Sequence, residues 1–221
     1  MPKPTHFKTG NSSVDDTRVS RLLSAAAVAM VLFDYSATQE ILKLSDAELG
    51  KLFKRELAQV IGMSTVLNLD WTSNEEQNES PRKVAKGVAS PRRSPRRELI
   101  SQGKLLRAPI VCDALGITEQ RLAKNVAAAQ IFSVAFDGDE FYPAFFLAKE
   151  LDRKQLAKIV KRLDGLPGWA KWKFFTKPRA SLANATPLQA LLHGEMKPVL
   201  QTVDAFVARS TKVAKGKESG T

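Results

Sequence analysis

Between residues 71 and 97 the chain offers a hydrophobic core almost nothing, and this gap constrains how the rest can fold. It holds the acidic run Asn-Glu-Glu-Gln-Asn-Glu-Ser at 74–80, then three Ser-Pro-basic-basic steps: Ser80-Pro81-Arg82-Lys83, Ser90-Pro91-Arg92-Arg93 and Ser94-Pro95-Arg96-Arg97. A segment so poor in large apolar residues cannot recover the entropy lost on ordering, and each proline disfavours helix at the residue before it. The reading is a disordered basic linker, either a solvated spacer or an arm that tracks phosphates through Arg92, Arg93, Arg96 and Arg97. Foldable sequence is left on either side.

On the N-terminal side, residues 1–17 are polar and Pro/Gly/Ser-rich and read as a disordered tail. Residues 18–70 read as a helical segment. Leu22, Leu23, Ala26, Met30 and Phe33 recur at three- and four-residue steps. Ser45-Asp46-Ala47-Glu48 has the pattern of a capping box, and Leu49, Leu52, Phe53, Leu57 and Val60 form the apolar stripe after it. Two or three helices bury little surface alone, so this segment is expected to pack across a dimer, on the C-terminal half, or on another protein.

On the other side, residues 98–150 read as two helices in helix-turn-helix spacing with a short β-hairpin. The stretch from Leu105 to Val126 divides into a helix, a turn at Leu115-Gly116-Ile117, and a second helix capped by Thr118. A recognition helix sets its first residues against base edges, which nominates Thr118, Glu119, Gln120, Arg121, Lys124 and Asn125 for DNA contact; a purely structural helix corner is the alternative. Phe132, Val134 and Phe136 alternate towards Asp137-Gly138, the pair that a tight hairpin turn favours. This hairpin stands where a wing would, though its acidic tip also fits a cover over the helices.

Residues 151–208 read as a second helical region. Leu156, Ile159, Val160 and Leu163 mark an amphipathic helix, Trp169, Trp172, Phe174 and Phe175 crowd a short basic segment, Thr186-Pro187 starts a helix that Gly194 stops, and a last helix spans Pro198 to Val207. The four aromatics suit a core or interface, or stacking platforms for bases. Residues 209–221 read as a disordered basic tail.

Charge indicates the partner class. The chain has 34 Lys and Arg against 23 Asp and Glu, a formal net charge of +11, so it attracts polyanions, nucleic acid first. The single cysteine, Cys112, has no internal disulfide partner and reads as core filler. Two histidines and no phosphate-loop motif leave no assembled catalytic or metal site, and neither enzyme activity nor a cofactor is expected. No apolar run approaches the ~18 residues of a membrane span, nor does the N-terminus resemble a secretory signal; a cytoplasmic protein with no membrane partner is expected.

The tryptophan-bearing segment, Pro178, Leu182 before a small-residue turn, Thr186-Pro187-Leu188, the Leu191-Leu192 helix ending at Gly194, and one final helix together resemble the toxin-binding region of the Xre/MbcA/ParS antitoxins. Gly103-Lys-Leu-Leu, Leu115-Gly-Ile-Thr and Asp137-Gly followed by Tyr142-Pro-Ala-Phe are similar to the segment preceding that region in this family. The likeness covers residues 98–208, about half the chain. It implies a mainly α bacterial antitoxin that dimerises, binds its own operator, autoregulates its operon, and occludes a RES-domain toxin that attacks NAD. Trp172, Pro178, Leu182, Thr186, Pro187, Leu188, Leu191 and Gly194 match the motif, and Val199, Val203 and Phe206 of the final helix would face the toxin or a second subunit. Members commonly have a Gly-Gly-like turn where this chain has Ala183-Asn184, and residues 1–97 have no counterpart in the resemblance.

Overall fold

The computed structural model describes residues 13–69 and 94–218. Among them it contains ten α-helices and one small antiparallel sheet. The chain divides into two units, the first ending at Lys51 and the second beginning at Leu52.

In the first unit, α1 spans Ser13–Phe33 and α2 spans Tyr35–Ile41. Helix begins at Ser13, inside the stretch 1–17 read as a disordered tail. Asp34 separates the two by accepting a hydrogen bond from the Ala37 N–H at 2.9 Å, which satisfies a first-turn donor. The α1 apolar residues do not sort into one buried face: Leu22, Leu23, Val28, Leu32 and Phe33 are all exposed, and no residue of α2 is buried. The next helix, α3 (Asp46–Val66), starts at the expected capping box, in which the Glu48 N–H donates to Ser45 Oγ and the Ser45 N–H donates to the Glu48 carboxylate. The Ser45 hydroxyl, which donates to the same carboxylate at 2.7 Å, and then the Ser45 N–H hold the Glu48 pKa below its ordinary value.

In the part of α3 beyond Leu52 the buried side is not the predicted stripe. Phe53, Leu57 and Val60 are exposed, whereas Ala58, Gly62 and Thr65 are buried. Backbone proximity explains the choice. A Cβ on Gly62 would stand 2.6 Å from the Ala144 carbonyl oxygen, so small residues let this helix approach more closely than large ones could.

From Pro95 the second unit continues with α4 (Pro95–Ser101), β1 (Leu105–Leu106), α5 (Ala108–Leu115) and α6 (Glu119–Ala127). Helix therefore begins inside the stretch read as linker, and Arg96 and Arg97 lie in its first turn; Arg92 and Arg93 lie outside the described residues. Leu105 and Leu106, expected at the head of a helix, instead form a strand, because Pro109 lacks the N–H of a helix interior and fits the first helical turn. The hairpin is as expected: β2 (Val134–Phe136) and β3 (Asp139–Pro143) pair with Phe136 opposite Asp139, across Asp137 and Gly138 at positive φ. β1 adds to the other edge of β3, giving the order β1-β3-β2. Phe136 is only half buried while Phe132 and Val134 are buried.

A short 3-10 turn, Ala144–Leu147, leads to α7 (Arg153–Arg162), α8 (Gly168–Thr176), a second 3-10 turn (Ala180–Leu182), α9 (Pro187–Leu192) and α10 (Met196–Glu218). The aromatic-rich segment is thus helical, and the last helix runs eleven residues beyond Val207, into the segment read as a disordered tail.

One apolar cluster joins these elements. Its centre is aromatic: the Phe145 ring lies 5.1 Å from Phe175 and 4.7 Å from Phe146, and Phe132 stacks on Phe175 at 5.9 Å. Phe145, Phe174, Phe175 and Leu188 have no measurable exposure, and each buried side chain of this size stabilises by about 1.5–3 kcal/mol over an exposed one.

Candidate nucleic-acid interface

The corner between α5 and α6 is built by local chemistry. Gly116 adopts a left-handed conformation with φ 65° and ends α5, while the Thr118 hydroxyl accepts from the Arg121 N–H at 3.3 Å and starts α6. Val111, Ala114 and Leu122 are buried, and Ile117 is half-buried. This leaves Thr118, Glu119, Gln120, Arg121 and Lys124 exposed together along one helix, as the sequence predicts, with Asn125 half-buried behind them. Asn125 lines a small cavity of about 120 Å³ with Leu115, Ile117 and Arg153. Arg153 opens α7, so the start of α7 borders the α5–α6 corner.

The electrostatics do not centre on α6. Residues 94–149 contain seven Lys and Arg against six Asp and Glu, whereas residues 150–210 contain eleven against five. The hairpin tip takes up one cation of the arm and one beside α5: Arg97 pairs with Asp137 at 3.4 Å and Arg107 with Asp139 at 2.7 Å. Arg96 stacks over the Trp169 ring, 4.6 Å from its centroid. Helix α7 is different. Its ten residues carry Arg153, Lys154, Lys158, Lys161 and Arg162, all exposed, and no acid, while Leu156, Ile159 and Val160 anchor it to the core. Arg162 forms a two-pronged pair with Asp204, at 2.7 and 2.6 Å; the other four form no ion pair among the described residues. No cation of α7 is among the residues that sequence pattern nominates for DNA contact, although the charge spacing of this helix is visible in the chain.

The residues matched to the toxin-binding motif have a different fate. Trp172, Leu182, Thr186, Pro187, Leu188 and Leu191 are buried, as are Val199 and Val203 on α10. Pro178 and Gly194 are exposed, and Phe206 is half-buried. The buried residues hold the region together rather than face outward. Thr186 and Gln189 complete a capping box at 3.1 and 2.9 Å. Ala183 and Asn184 take the positive φ values 51° and 63°, so the turn keeps the left-handed geometry that glycines would accept without strain. Arg179 lies between the rings of Phe174 and Phe206, 5.2 and 4.7 Å from their centroids, and burial followed by the nearby Arg209 charge lowers its pKa. Of the four crowded aromatics, Trp172, Phe174 and Phe175 belong to the core, while Trp169 is half-exposed and donates its indole N–H to the Ala135 carbonyl at 2.9 Å.

Cys112 is buried, and burial raises its thiol pKa, with the charges of Glu119 and Asp113 adding to the effect; it is a core residue. Among the described residues no helix is long and apolar enough to cross a membrane. Searches against protein families, curated proteins and solved structures find no match to this chain.

Proposed function

We propose that this protein is a DNA-binding regulator in which α5 and α6 act as a helix-turn-helix, α6 reads base edges, and the cations of α7 hold phosphates beside it. The observation that carries the reading is the junction at Asn125 and Arg153, where the exposed polar helix borders the most cationic one. The division of labour follows from the two kinds of contact: those to phosphate supply salt-dependent affinity and those to bases supply discrimination. Glu119, Gln120, Arg121 and Lys124 can donate to or accept from bases in the major groove. The test is a duplex gel shift with the upstream region of the gene. Arg121→Ala with Lys124→Ala should reduce the preference for that duplex over an unrelated one, whereas equal binding to both by the unmodified chain contradicts the reading.

The resemblance to the antitoxins extends this proposal to a second partner, a RES-domain toxin, bound by a homodimer. Burial of the motif weighs against a direct toxin contact through it: Leu188 and Leu191 maintain this chain's own core, which favours a stand-alone regulator as the second reading. A toxin would instead meet exposed positions such as Pro178, Gly194, Lys197 and Gln201. Co-expression with the product of the adjacent gene separates the two. Co-elution on size exclusion, weakened by Lys197→Glu with Gln201→Arg, supports the antitoxin reading, and separate elution supports the stand-alone regulator.

A further inference from the structure

Away from α6, the second unit contains a half-open groove of about 790 Å³, within the ~300–1,000 Å³ range of small-molecule sites. Its chemistry is one-sided. Arg96, Lys104, Lys173 and Lys177 line it together with Trp169 and Trp172, and no carboxylate does among the described residues. The α8 register produces this arrangement. Trp169, Trp172, Lys173 and Thr176 recur at three- and four-residue steps, so one edge of the helix presents aromatic and cationic groups to the same space.

The cations are not equivalent. Lys104 is 6% exposed and sits deep. Lys173 and Lys177 are exposed at the rim, and Arg96, Lys173 and Lys177 form no ion pair among the described residues. Arg96 is held over the Trp169 ring, and the Trp169 indole is fixed by its hydrogen bond to Ala135. The Arg96 guanidinium thus covers the Trp169 ring in a groove that Lys173, Lys177, Asn68 and Ser94 also line. A flat aromatic ligand without charge would leave the ammonium groups unused, and a bare anion would leave the Arg96–Trp169 pair unused.

We propose that this groove binds a nucleotide unit, a base carrying phosphate, supplied either as a free nucleotide or as one residue of a single strand. The base stacks on the Arg96–Trp169 layer, an arrangement worth about 1–3 kcal/mol per base in single-strand binders, and Lys173 and Lys177 hold the phosphate. This site is separate from α6 and does not depend on the duplex-binding proposal.

The experiment titrates the full chain with AMP, with an eight-residue oligo(dA), and with inorganic phosphate, followed by tryptophan fluorescence and calorimetry. AMP or the oligonucleotide should quench fluorescence and bind at least tenfold more tightly than phosphate. Binding of both at similar affinity per site identifies a free-nucleotide site; a preference of tenfold or more for the oligonucleotide identifies a single-strand site. Lys173→Glu with Lys177→Glu, both exposed, should weaken binding at least tenfold, while Lys51→Glu with Lys54→Glu on α3, also exposed, should change it less than twofold. Trp169→Phe should remove most of the quench. Equal binding of phosphate and AMP, no binding by either nucleotide probe, or equal weakening by the α3 and α8 variants would overturn the proposal.

Discussion

Residues 94–149 and residues 150–210 contribute to one apolar cluster but differ in charge. The first region carries the α5–α6 corner and the sheet, and its charges nearly balance; the second carries α7 to α10 and six excess positive charges. The exposed polar helix α6 and the excess of positive charge therefore belong to different parts of one folded unit. A helix corner alone identifies neither function nor affinity, and among the described residues the excess positive charge lies in residues 150–210, α7 included, rather than on α6.

Disrupting the common core tests whether the two regions stand or fall together. Leu188→Asp places a carboxylate where exposure is zero and should cost more than about 4 kcal/mol. Chemical denaturation followed by circular dichroism should show loss of both regions in one transition; a surviving transition from residues 94–149 would make them independent. Gly168→Ala probes the seam itself, because a Cβ there collides with the Ser133 backbone beside β2. It should destabilise by about 1–3 kcal/mol, read as a shift in the urea midpoint at unchanged slope.

Smaller effects distinguish the regions one at a time. In residues 94–149, Thr118→Ala removes the α6 cap and should cost about 1 kcal/mol, with weaker duplex binding if α6 must be preformed. In residues 150–210, Ala183→Gly relieves a left-handed alanine and should stabilise by up to about 1 kcal/mol in thermal melts, offset in part by the added freedom of glycine in the unfolded chain. Cys112 should react slowly with iodoacetamide in the folded protein, because the raised pKa favours the neutral thiol and the group is buried; reaction at the rate seen in denaturant would contradict its place in the core.

How much of this can be read from the chain differs by element. Local signals are legible. The Ser45–Glu48 box, the Thr118 and Thr186 caps, the Gly116 turn and the Asp137-Gly138 hairpin each depend on a few neighbouring residues whose chemistry is fixed by type. Choices of face are less so. On α3, periodicity favours Phe53, Leu57 and Val60, but the packed side is the one where Gly62 permits contact with the Ala144 backbone, a tertiary fact with no local mark. For β1 the signal is mixed: Pro109 marks the first turn of the helix that follows, but the pairing of Leu105 and Leu106 with the edge of β3 is tertiary.

Among the candidate sites, α6 is legible because its exposed residues follow a turn signal. Its companion α7 is legible as an amphipathic helix but not as a site, since nothing local says that Arg153 borders Asn125. The motif matched to antitoxins is legible as sequence, yet its buried Leu and Trp side chains belong to the core; pattern matching weights apolar residues that a fold needs as heavily as those that a partner touches. The groove beside Trp169 gathers residues from separated stretches of chain, and only folding brings them together.

If α7 supplies the phosphate contacts for DNA held against α6, its lysines must set the salt dependence of binding. The direct measurement is duplex affinity by fluorescence anisotropy across a salt series, for the unmodified chain and for Lys154→Gln, Lys158→Gln and Lys161→Gln combined. The expected result is a shallower slope of log affinity against log salt in the variant, by about 0.9 for each phosphate no longer neutralised, with an unchanged melting temperature. An unchanged salt slope at full affinity would contradict this role for α7 and return the phosphate contacts to another part of the chain.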